Sequence, residues 1–292
     1  MKYQLCNDFL QAEFDTLGGM LTSLKMKGIE YLWQADERYW KGQSPVMFPI
    51  CGSIRDEEAI IGDQKKCHLP RHGFARFEEF EQSFKTIDSI SFSLRSNEET
   101  LEKYPYPFKL TITYTLQEKK LIFLYTVETM GQETMPFFVG GHPGFRCPLN
   151  PEEEFSDYQI EFEYTENANC PYPAQDPLLL DSKNRREILK EEKVLHLQHD
   201  LFLQDGLVFD TLKSRKVVYS NSKTGKGLKV EFDDFPNLVL WSTANQGPFI
   251  AIEPWLGTST WTDEDNVFEH KRGVQFVAPG EKKNYLFSIS VL

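Results

Sequence analysis

The segment Leu110-Thr111-Ile112-Thr113-Tyr114-Thr115-Leu116 alternates apolar side chains with threonines. Because successive side chains of an extended chain point to opposite faces, this alternation puts all the apolar side chains on one face. The pattern predicts a strand of an antiparallel sheet with one face on a core and the other towards solvent. The same pattern recurs in residues 90–94, 158–164, 228–232 and 285–291.

Two further segments fit the same interpretation. Residues 121–127 are apolar on both faces, which predicts a more central strand. Residues 222–227, Ser-Lys-Thr-Gly-Lys-Gly, separate two strand-like runs and predict a hairpin turn.

Helical periodicity is scarce in the chain. We expect a short helix in residues 185–195 and one or two helical turns in residues 262–270. Residues 170–181 contain three prolines and predict a loop. No internal repeat, low-complexity tract or Gly/Ser linker divides the 292 residues. Many short strands with few helices predict an all-β fold, a large antiparallel β-sandwich of two packed sheets, as a single domain over residues 1–292.

Composition limits the class of protein. The net charge of −12 makes nucleic acid and anionic membranes poor partners, because both repel an acidic surface. No window approaches 18 apolar residues, and the residues after Met1 do not form a signal peptide. The five cysteines are odd in number and none are spaced as C-x-x-C, which favours a reduced, cytoplasmic protein. The sequence gives no basis for an oligomeric state.

Three segments interrupt the alternation with polar residues beside glycine and proline, a conflict typical of functional sites. They are Arg71-His72-Gly73-Phe74-Ala75-Arg76, Gly140-Gly141-His142-Pro143-Gly144-Phe145-Arg146 and Glu253-Pro254-Trp255-Leu256-Gly257.

His142 and Glu253 are each followed by proline, which cannot donate to a sheet ladder, so we expect each at the end of a strand. The Glu253 carboxylate shares a face with Phe249 and Ala251, and a glutamate on an apolar face is either paired or has a raised pKa. Both conditions suit a general base. Taken alone, however, a histidine beside glycine and proline is more often a hydrogen-bonded structural residue than a catalyst.

Together, these segments resemble the galactose mutarotase, or aldose 1-epimerase, superfamily. The resemblance extends from about Gly18 to the end of the chain and is strongest to the LacX-type branch. It includes Tyr31-Leu32-Trp33, Tyr39-Trp40, Pro45-Val46-Met47-Phe48-Pro49 and Pro279-Gly280-Glu281. It implies a β-supersandwich and an isomerase of carbohydrate metabolism that interconverts the α and β anomers of a hexose without a cofactor or metal.

The resemblance also implies roles for particular residues. The general acid of the family falls on His142 and the general base on Glu253. Substrate contacts fall on His72, which positions the sugar, and on four further residues: Asp205, Arg76, Arg55 and Trp255.

Substrate charge is left open by the sequence. Arg76 resembles the branch that acts on hexose 6-phosphates, and its alternative is an ion pair with Glu78 or Glu79. That branch has an arginine in an Arg-Gly-Gly stretch, whereas this chain has Lys41-Gly42-Gln43-Ser44, which favours a neutral aldose.

Ring opening of an aldose needs a base at the C1 hydroxyl and an acid at the ring oxygen. Mutual attraction is expected to raise the pKa of His142; for Glu253, attraction and burial act in opposite directions. Two alternatives remain: a non-catalytic sugar-binding or sensing protein on the same fold, and a glycoside hydrolase, which needs two carboxylates. His196, His199 and Asp200 lack the placed partners of a metal site.

Overall fold

A computed structural model describes residues 1–174 and 179–292 of the chain. These residues form 23 β-strands, one short α-helix and five 3-10 helices. The strands are β1 (Lys2–Cys6), β2 (Leu10–Asp15), β3 (Met20–Met26), β4 (Ile29–Glu30), β5 (Val46–Met47), β6 (Glu58–Ile61), β7 (Lys65–His68), β8 (Glu81–Lys85), β9 (Ser89–Arg95), β10 (Phe108–Gln117), β11 (Lys120–Thr129), β12 (Met135–Phe137), β13 (Gly140–Gly141), β14 (Gly144–Arg146), β15 (Tyr158–Pro173), β16 (Leu180–His196), β17 (Leu207–Phe209), β18 (Lys216–Asn221), β19 (Gly227–Glu231), β20 (Asn237–Trp241), β21 (Phe249–Trp255), β22 (Gln275–Val277) and β23 (Lys283–Val291). The helix α1 is Glu98–Lys103, and the 3-10 helices are Arg55–Glu57, Ala75–Phe77, Phe155–Asp157, His199–Phe202 and Phe268–His270.

Two sheets contain most of the strands. The larger has nine strands in the order β16-β15-β18-β19-β23-β11-β10-β9-β8. The second has six: β17-β20-β21-β13-β5, with β14 also paired to β21. A four-stranded sheet, β1-β2-β3-β4, and the pairs β6-β7 and β12-β22 complete the fold. All strand pairs within these sheets are antiparallel across the described ranges.

The smaller sheets pack on one face of the nine-stranded sheet. Tyr114, Phe123 and Phe287 are in register across β10, β11 and β23, so they share that face. The four-stranded sheet covers one part of it, since the rings of Phe14 and Tyr114 lie 4.5 Å apart. The six-stranded sheet covers another, since a Cβ atom on Gly141 would lie 2.8 Å from the Phe287 ring. The core is thus the aromatic interior of a sandwich.

The all-β antiparallel sandwich predicted from the sequence is confirmed. The five alternating runs lie in β9, β10, β15, β19 and β23. Residues 121–127 lie in β11, between β10 and β23, and residues 222–227 join β18 to β19. The helical turn expected in residues 262–270 is the 3-10 helix Phe268–His270. None of the helices in the described ranges has the length and hydropathy needed to cross a membrane.

Two predictions in the third quarter of the chain were wrong. Residues 185–195 form part of β16 and not a helix. Of the predicted loop 170–181, residues 170–173 belong to β15 and residues 180–181 to β16; residues 175–178 lie outside the described part. Register shifts between the two strands break the alternation, so the pattern no longer had a strand period. Pro171 and Pro173 are tolerated because β15 pairs with β18 only through Phe162, which leaves one side of the strand open beyond that point.

Candidate active site

Glu253 and His142 meet on the six-stranded sheet. The Nε2 atom of His142 lies 3.2 Å from Oε2 of Glu253, and only 7% of His142 and 1% of Glu253 is exposed. His142 lies between β13 and β14, where its backbone N–H donates to the carbonyl of Pro45 over 3.1 Å. Two side chains that can carry a proton are therefore buried in direct contact.

Glu253 does not end its strand, contrary to the prediction from the sequence. It lies inside β21, opposite Val239 of β20. Pro254, which follows it, is tolerated because it falls in a gap on the other side of β21. There, β14 pairs with residues 249–251 and β13 pairs with Trp255. The missing N–H of the proline therefore removes no ladder hydrogen bond on that side.

Burial controls the protonation of this pair. It raises the pKa of Glu253 well above the ordinary value, against the opposing effects of the hydrogen bond from Trp255 and the charge of Arg71. The Nε1–H group of Trp255 donates to Oε2 of Glu253 over 3.1 Å. Burial lowers the pKa of His142 to about 3, and the charges of Arg71 and Arg76 act in the same direction. The expectation of a raised pKa for His142 was therefore wrong.

His72 is held in an unusual backbone conformation. Its φ angle is 68°, in the left-handed region that non-glycine residues rarely adopt. The backbone N–H of Gly52 donates to Nδ1 of His72 over 3.1 Å. The Nε–H group of Arg71 points at Nε2 of the same ring over 3.3 Å. Because a neutral imidazole can accept at only one nitrogen, it accepts from either Gly52 or Arg71, and the ring is held between them.

Asp205 faces Arg71 across the cavity wall. Nη2 of Arg71 donates to Oδ2 of Asp205 over 3.1 Å. Asp205 also has a φ angle of 68°. Its loop is fixed from below by Arg186 of β16, which donates to the carbonyls of Leu201 and Gly206 over 3.3 and 3.1 Å. The carboxylate that faces the cavity thus belongs to a residue with a strained backbone, in a loop that hydrogen bonds from Arg186 hold in place.

These residues line one cavity of about 260 Å³. Its wall also includes Arg76 and Ser259, and apolar side chains that come from the β15–β16 hairpin: Pro171, Pro173, Leu179 and Leu180. The hairpin is docked there by Leu180, whose N–H donates to the Thr260 carbonyl over 3.0 Å and whose carbonyl accepts from the Thr262 N–H over 2.9 Å. The wall therefore combines polar groups of the sandwich with an apolar side.

Two indoles enclose His142. The Trp40 ring stacks on the imidazole, with centroids 4.9 Å apart and planes 27° apart. The Trp241 ring meets it edge-on at 5.5 Å. Within the described ranges, no group of three or more His, Cys, Asp and Glu side chains could hold a metal ion. The cavity wall carries side chains that can transfer a proton or form hydrogen bonds.

The family model for aldose 1-epimerase matches residues 1–288. The chain belongs to the aldose 1-epimerase family. It is 45% identical over 298 residues to the plasmid form of protein LacX from Lactococcus lactis subsp. lactis, with 100% of both chains covered. The fold is similar to the galactose mutarotase related enzyme from Lactobacillus acidophilus, with a TM-score of 0.93, 31% identity, and 100% of this chain and 97% of that chain covered.

A second solved structure extends the comparison. A galactose mutarotase-like protein from Lactobacillus casei ATCC 334 superposes with a TM-score of 0.92 at 27% identity, with 100% of both chains covered. The resemblance to this family, and to its LacX-type branch, is therefore confirmed along the whole chain.

Most of the predicted aldose 1-epimerase residues lie on the cavity; these are His142, Glu253, His72, Asp205, Arg76 and Trp255. Arg55 does not. Its Nη2 donates to the carbonyl oxygens of Trp261 and Glu264 over 3.5 and 3.2 Å, so the prediction that Arg55 lines the sugar site is corrected. The guanidinium follows the 261–264 loop because the carbonyls there accept its hydrogen bonds.

Arg76 does not form the ion pair with Glu78 or Glu79 that was the alternative to a role in substrate binding. Its Nη2 donates to the carbonyl of Arg71 over 2.8 Å, and its guanidinium lies 4.6 Å from the Phe77 ring. Glu79 instead accepts from Thr16. Across the ranges that the structure describes, Arg76 has no carboxylate at ion-pair distance.

Three cavity residues were missed from the sequence: Arg71, Trp40 and Trp241. Arg71 immediately precedes His72 in the quoted motif, so its proximity was a usable signal. Trp40 also stood in a segment that resembles the family. Trp241 follows the apolar residues 238–240 of β20, and nothing distinguished it from a core residue.

Proposed function

We propose that this chain is an aldose 1-epimerase that interconverts the anomers of a hexose, with Glu253 and His142 as its acid–base pair. The observation that supports it is the 3.2 Å contact between two buried groups on the wall of a cavity, in a member of this family. The cavity of about 260 Å³ suits a monosaccharide, since pockets for drug-sized ligands run from about 300 to 1,000 Å³.

The reaction needs one proton to leave the C1 hydroxyl and another to reach the ring oxygen. Glu253 removes the first, and His142 donates the second. Rotation about the C1–C2 bond then exposes the other face of the aldehyde, and the reverse transfers close the ring. Each group contributes roughly 10²–10⁴-fold to the rate.

The pair starts from a neutral form. The two side chains share one proton. Because burial raises the pKa of Glu253 and lowers that of His142, this proton is on the Glu253 carboxyl before a sugar binds. Transfer of that proton across the 3.2 Å contact gives the carboxylate and the imidazolium without changing the charge of the cavity. Such a transfer costs far less than ionising either buried group alone.

The remaining polar groups hold the sugar hydroxyls in this proposal. Asp205 accepts hydrogen bonds from them, and the polar atoms of His72 and Arg71 contact them. The apolar faces of the hairpin residues and Trp241 meet the C–H side of the sugar ring. No cofactor enters any step.

Epimerisation of hexose 6-phosphates is a second candidate, because Arg76 faces the cavity without a carboxylate partner in the described ranges, whereas Arg71 is neutralised by Asp205. Lys41 argues against it. Its ammonium lies 4.0 Å from Glu37 on the surface, where both side chains are 77% exposed, and it is not part of the cavity wall. We therefore retain a neutral hexose as the first choice.

The glycoside hydrolase alternative needs a second free carboxylate. Besides Glu253, the described residues place only Asp205 on the cavity wall, and its carboxylate is occupied by Arg71.

Anomeric exchange measured by NMR or polarimetry tests the proposal. Protein treated with EDTA should accelerate α/β exchange of at least one of galactose, glucose and glucose 6-phosphate. The matched control is the double variant His142→Asn/Glu253→Gln, which keeps the side-chain sizes close. Saturable sugar binding without acceleration over that panel would support the sensing alternative and reject the enzyme.

A further inference from the structure

The indole of Trp40 lies in a slot between two glycines. A Cβ atom on Gly42 would lie 2.5 Å from Cζ2 of the indole, and one on Gly144 would lie 2.6 Å from Cζ3. Neither glycine has a φ angle in the left-handed region, so the backbone conformation does not require glycine at either position. What glycine supplies at both is room for the indole. We call this arrangement the glycine slot.

The imidazole that rests on this indole lacks the usual second support. In His142, Nε2 faces Glu253, but Nδ1 is buried and has no hydrogen-bond partner in another of the described residues. The orientation of a functional histidine is ordinarily set by the hydrogen bond of its second ring nitrogen. Here the stacked contact with Trp40 and the edge contact with Trp241 orient the imidazole ring instead.

We propose that Trp40, held in the glycine slot, is a positioning residue for His142: its indole sets the plane of the imidazole and stabilises the imidazolium that forms during the reaction. The indole face is the aromatic surface that attracts a cation most strongly. The proposal rests on the proposed function for its catalytic part, since only an acid–base reaction requires the imidazolium.

The charged and titratable groups around the imidazole make this contribution significant. Glu253 faces it from β21 at 3.2 Å. His72 meets it edge-on, with ring centroids 5.4 Å apart. Arg71 and Arg76, from the same segment as His72, repel a positive charge on the ring. Glu253, the indole and the backbone carbonyl of His142 itself favour the imidazolium against these neighbours.

The test compares Trp40→Leu with Trp40→Phe. The leucine variant should lose about 10- to 100-fold in kcat, because misplacement of a reacting group by about 1 Å has effects of that order. Its KM should change less than its kcat. The alkaline limb of kcat, which reports loss of the proton that the pair shares, should move to lower pH by about half a unit to one unit. Trp40→Phe keeps an aromatic face, so its kcat and the position of its alkaline limb should stay close to those of the wild type.

Two further variants separate positioning from general stability. Gly144→Ala displaces the indole without removing it and should reproduce part of the kcat loss. Phe155→Leu removes the face of another stacked pair, Phe155 on His199 with centroids 3.9 Å apart, outside the cavity; its kcat should equal that of the wild type. The proposal is overturned if Trp40→Leu keeps kcat within twofold, or if both Trp40 variants lose equally while the pH limb stays in place.

A measurement without substrate separates this proposal from the proposed function. The Cε1–H NMR signal of His142, identified by its loss in His142→Asn, should be shifted upfield by the ring current of the indole. In Trp40→Leu it should move downfield and broaden as the ring adopts several orientations. An unchanged signal would reject positioning by Trp40. A wild-type protein that shows the shift but no anomeric exchange would reject the enzyme and leave the positioning intact.

Discussion

Arg71 and Asp205, which lie 134 positions apart in the sequence, form a 3.1 Å ion pair on the wall of the cavity. The pair connects the segment that carries His72 to the loop before β17. It also neutralises one of the two guanidiniums on the wall, whereas Arg76 has no carboxylate partner among the residues that the structure describes. Three of the predictions below concern the electrostatics that this arrangement sets up.

Asp205→Asn should weaken sugar binding and change the alkaline limb of the pH profile. Asparagine tolerates the left-handed backbone at this position, so the loop should keep its shape. Loss of a charged acceptor costs about 1.5–3 kcal/mol, which is roughly a 10- to 100-fold rise in KM. Removal of the negative charge also lowers the pKa of Glu253, because Asp205 contributes to raising it. The alkaline limb, which reports loss of the proton that Glu253 holds, should therefore move to lower pH.

The control for that variant is Asp210→Asn, which removes the partner of Arg185 outside the cavity. Its KM should match that of the wild type. Equal effects of the two substitutions on KM would mean that Asp205 acts on the fold and does not contact the sugar.

Glu253→Gln and His142→Asn should each reduce kcat by about 10²-fold or more without unfolding the protein. Because the two groups act in one step and share one proton, the double variant should lose much less than the sum of the two free-energy losses. The three kcat values, measured by anomeric exchange, form the cycle. Near-full activity of Glu253→Gln would remove Glu253 as the base and make Asp205 the next candidate.

Glu253→Gln should also stabilise the protein at neutral and alkaline pH. The ordinary pKa of a glutamate is 4.5, and burial raises that of Glu253 well above it in the folded state. The wild type therefore loses stability as the pH rises from about 4.5 to the raised pKa, by about 1.4 kcal/mol per pH unit in that window. Thermal unfolding at pH 4, 6 and 8 should show a Tm advantage of the glutamine variant that grows with pH. A constant difference would argue against a buried, ionising carboxyl.

Arg76→Ala decides between neutral and phosphorylated substrates. If Arg76 binds a phosphate, the charge-assisted contact is worth roughly 1.5–3 kcal/mol, and hexose 6-phosphates should exceed the free sugars at least about tenfold in kcat/KM. Our choice of a neutral hexose predicts no such preference, and a change of less than about threefold in Arg76→Ala. The measurement is paired kinetics on galactose, glucose and glucose 6-phosphate, with Arg95→Ala of β9 as the matched arginine control outside the cavity. A strong phosphate preference that Arg76→Ala abolishes would reverse the choice.

The sandwich was predictable from the sequence because most of its strands have one face towards solvent and one face on the core. Strand β10 shows the alternation over its whole length. Strands β15 and β16 fail this test, since their register shifts place consecutive side chains out of phase and much of β16 is exposed. The helix predicted in residues 185–195 was wrong for this reason. A pattern along one strand carries no information about a bulge, which depends on its partner.

The site was predictable to the extent that its residues lie in short motifs. His72, His142 and Glu253 each occur beside glycine or proline and resemble the family, and all three line the cavity. Arg55 was misplaced because spacing alone cannot show that its guanidinium reaches backbone carbonyls instead. The predicted direction of the His142 pKa shift was also wrong. The prediction weighed the attraction of Glu253 but not the burial of the imidazole, which depends on the assembled sheets.

The docked β15–β16 hairpin separates two properties that an engineer would wish to change independently. The proposed acid–base pair, His142 and Glu253, lies on the six-stranded sheet, buried in the sandwich. The apolar wall is contributed by residues near the end of a long ribbon, Pro171, Pro173, Leu179 and Leu180, tied to the body through the backbone of Leu180. Substitutions confined to those four positions should change which molecules the cavity accepts. They would leave His142 and Glu253, and so the proposed proton transfers, unaltered.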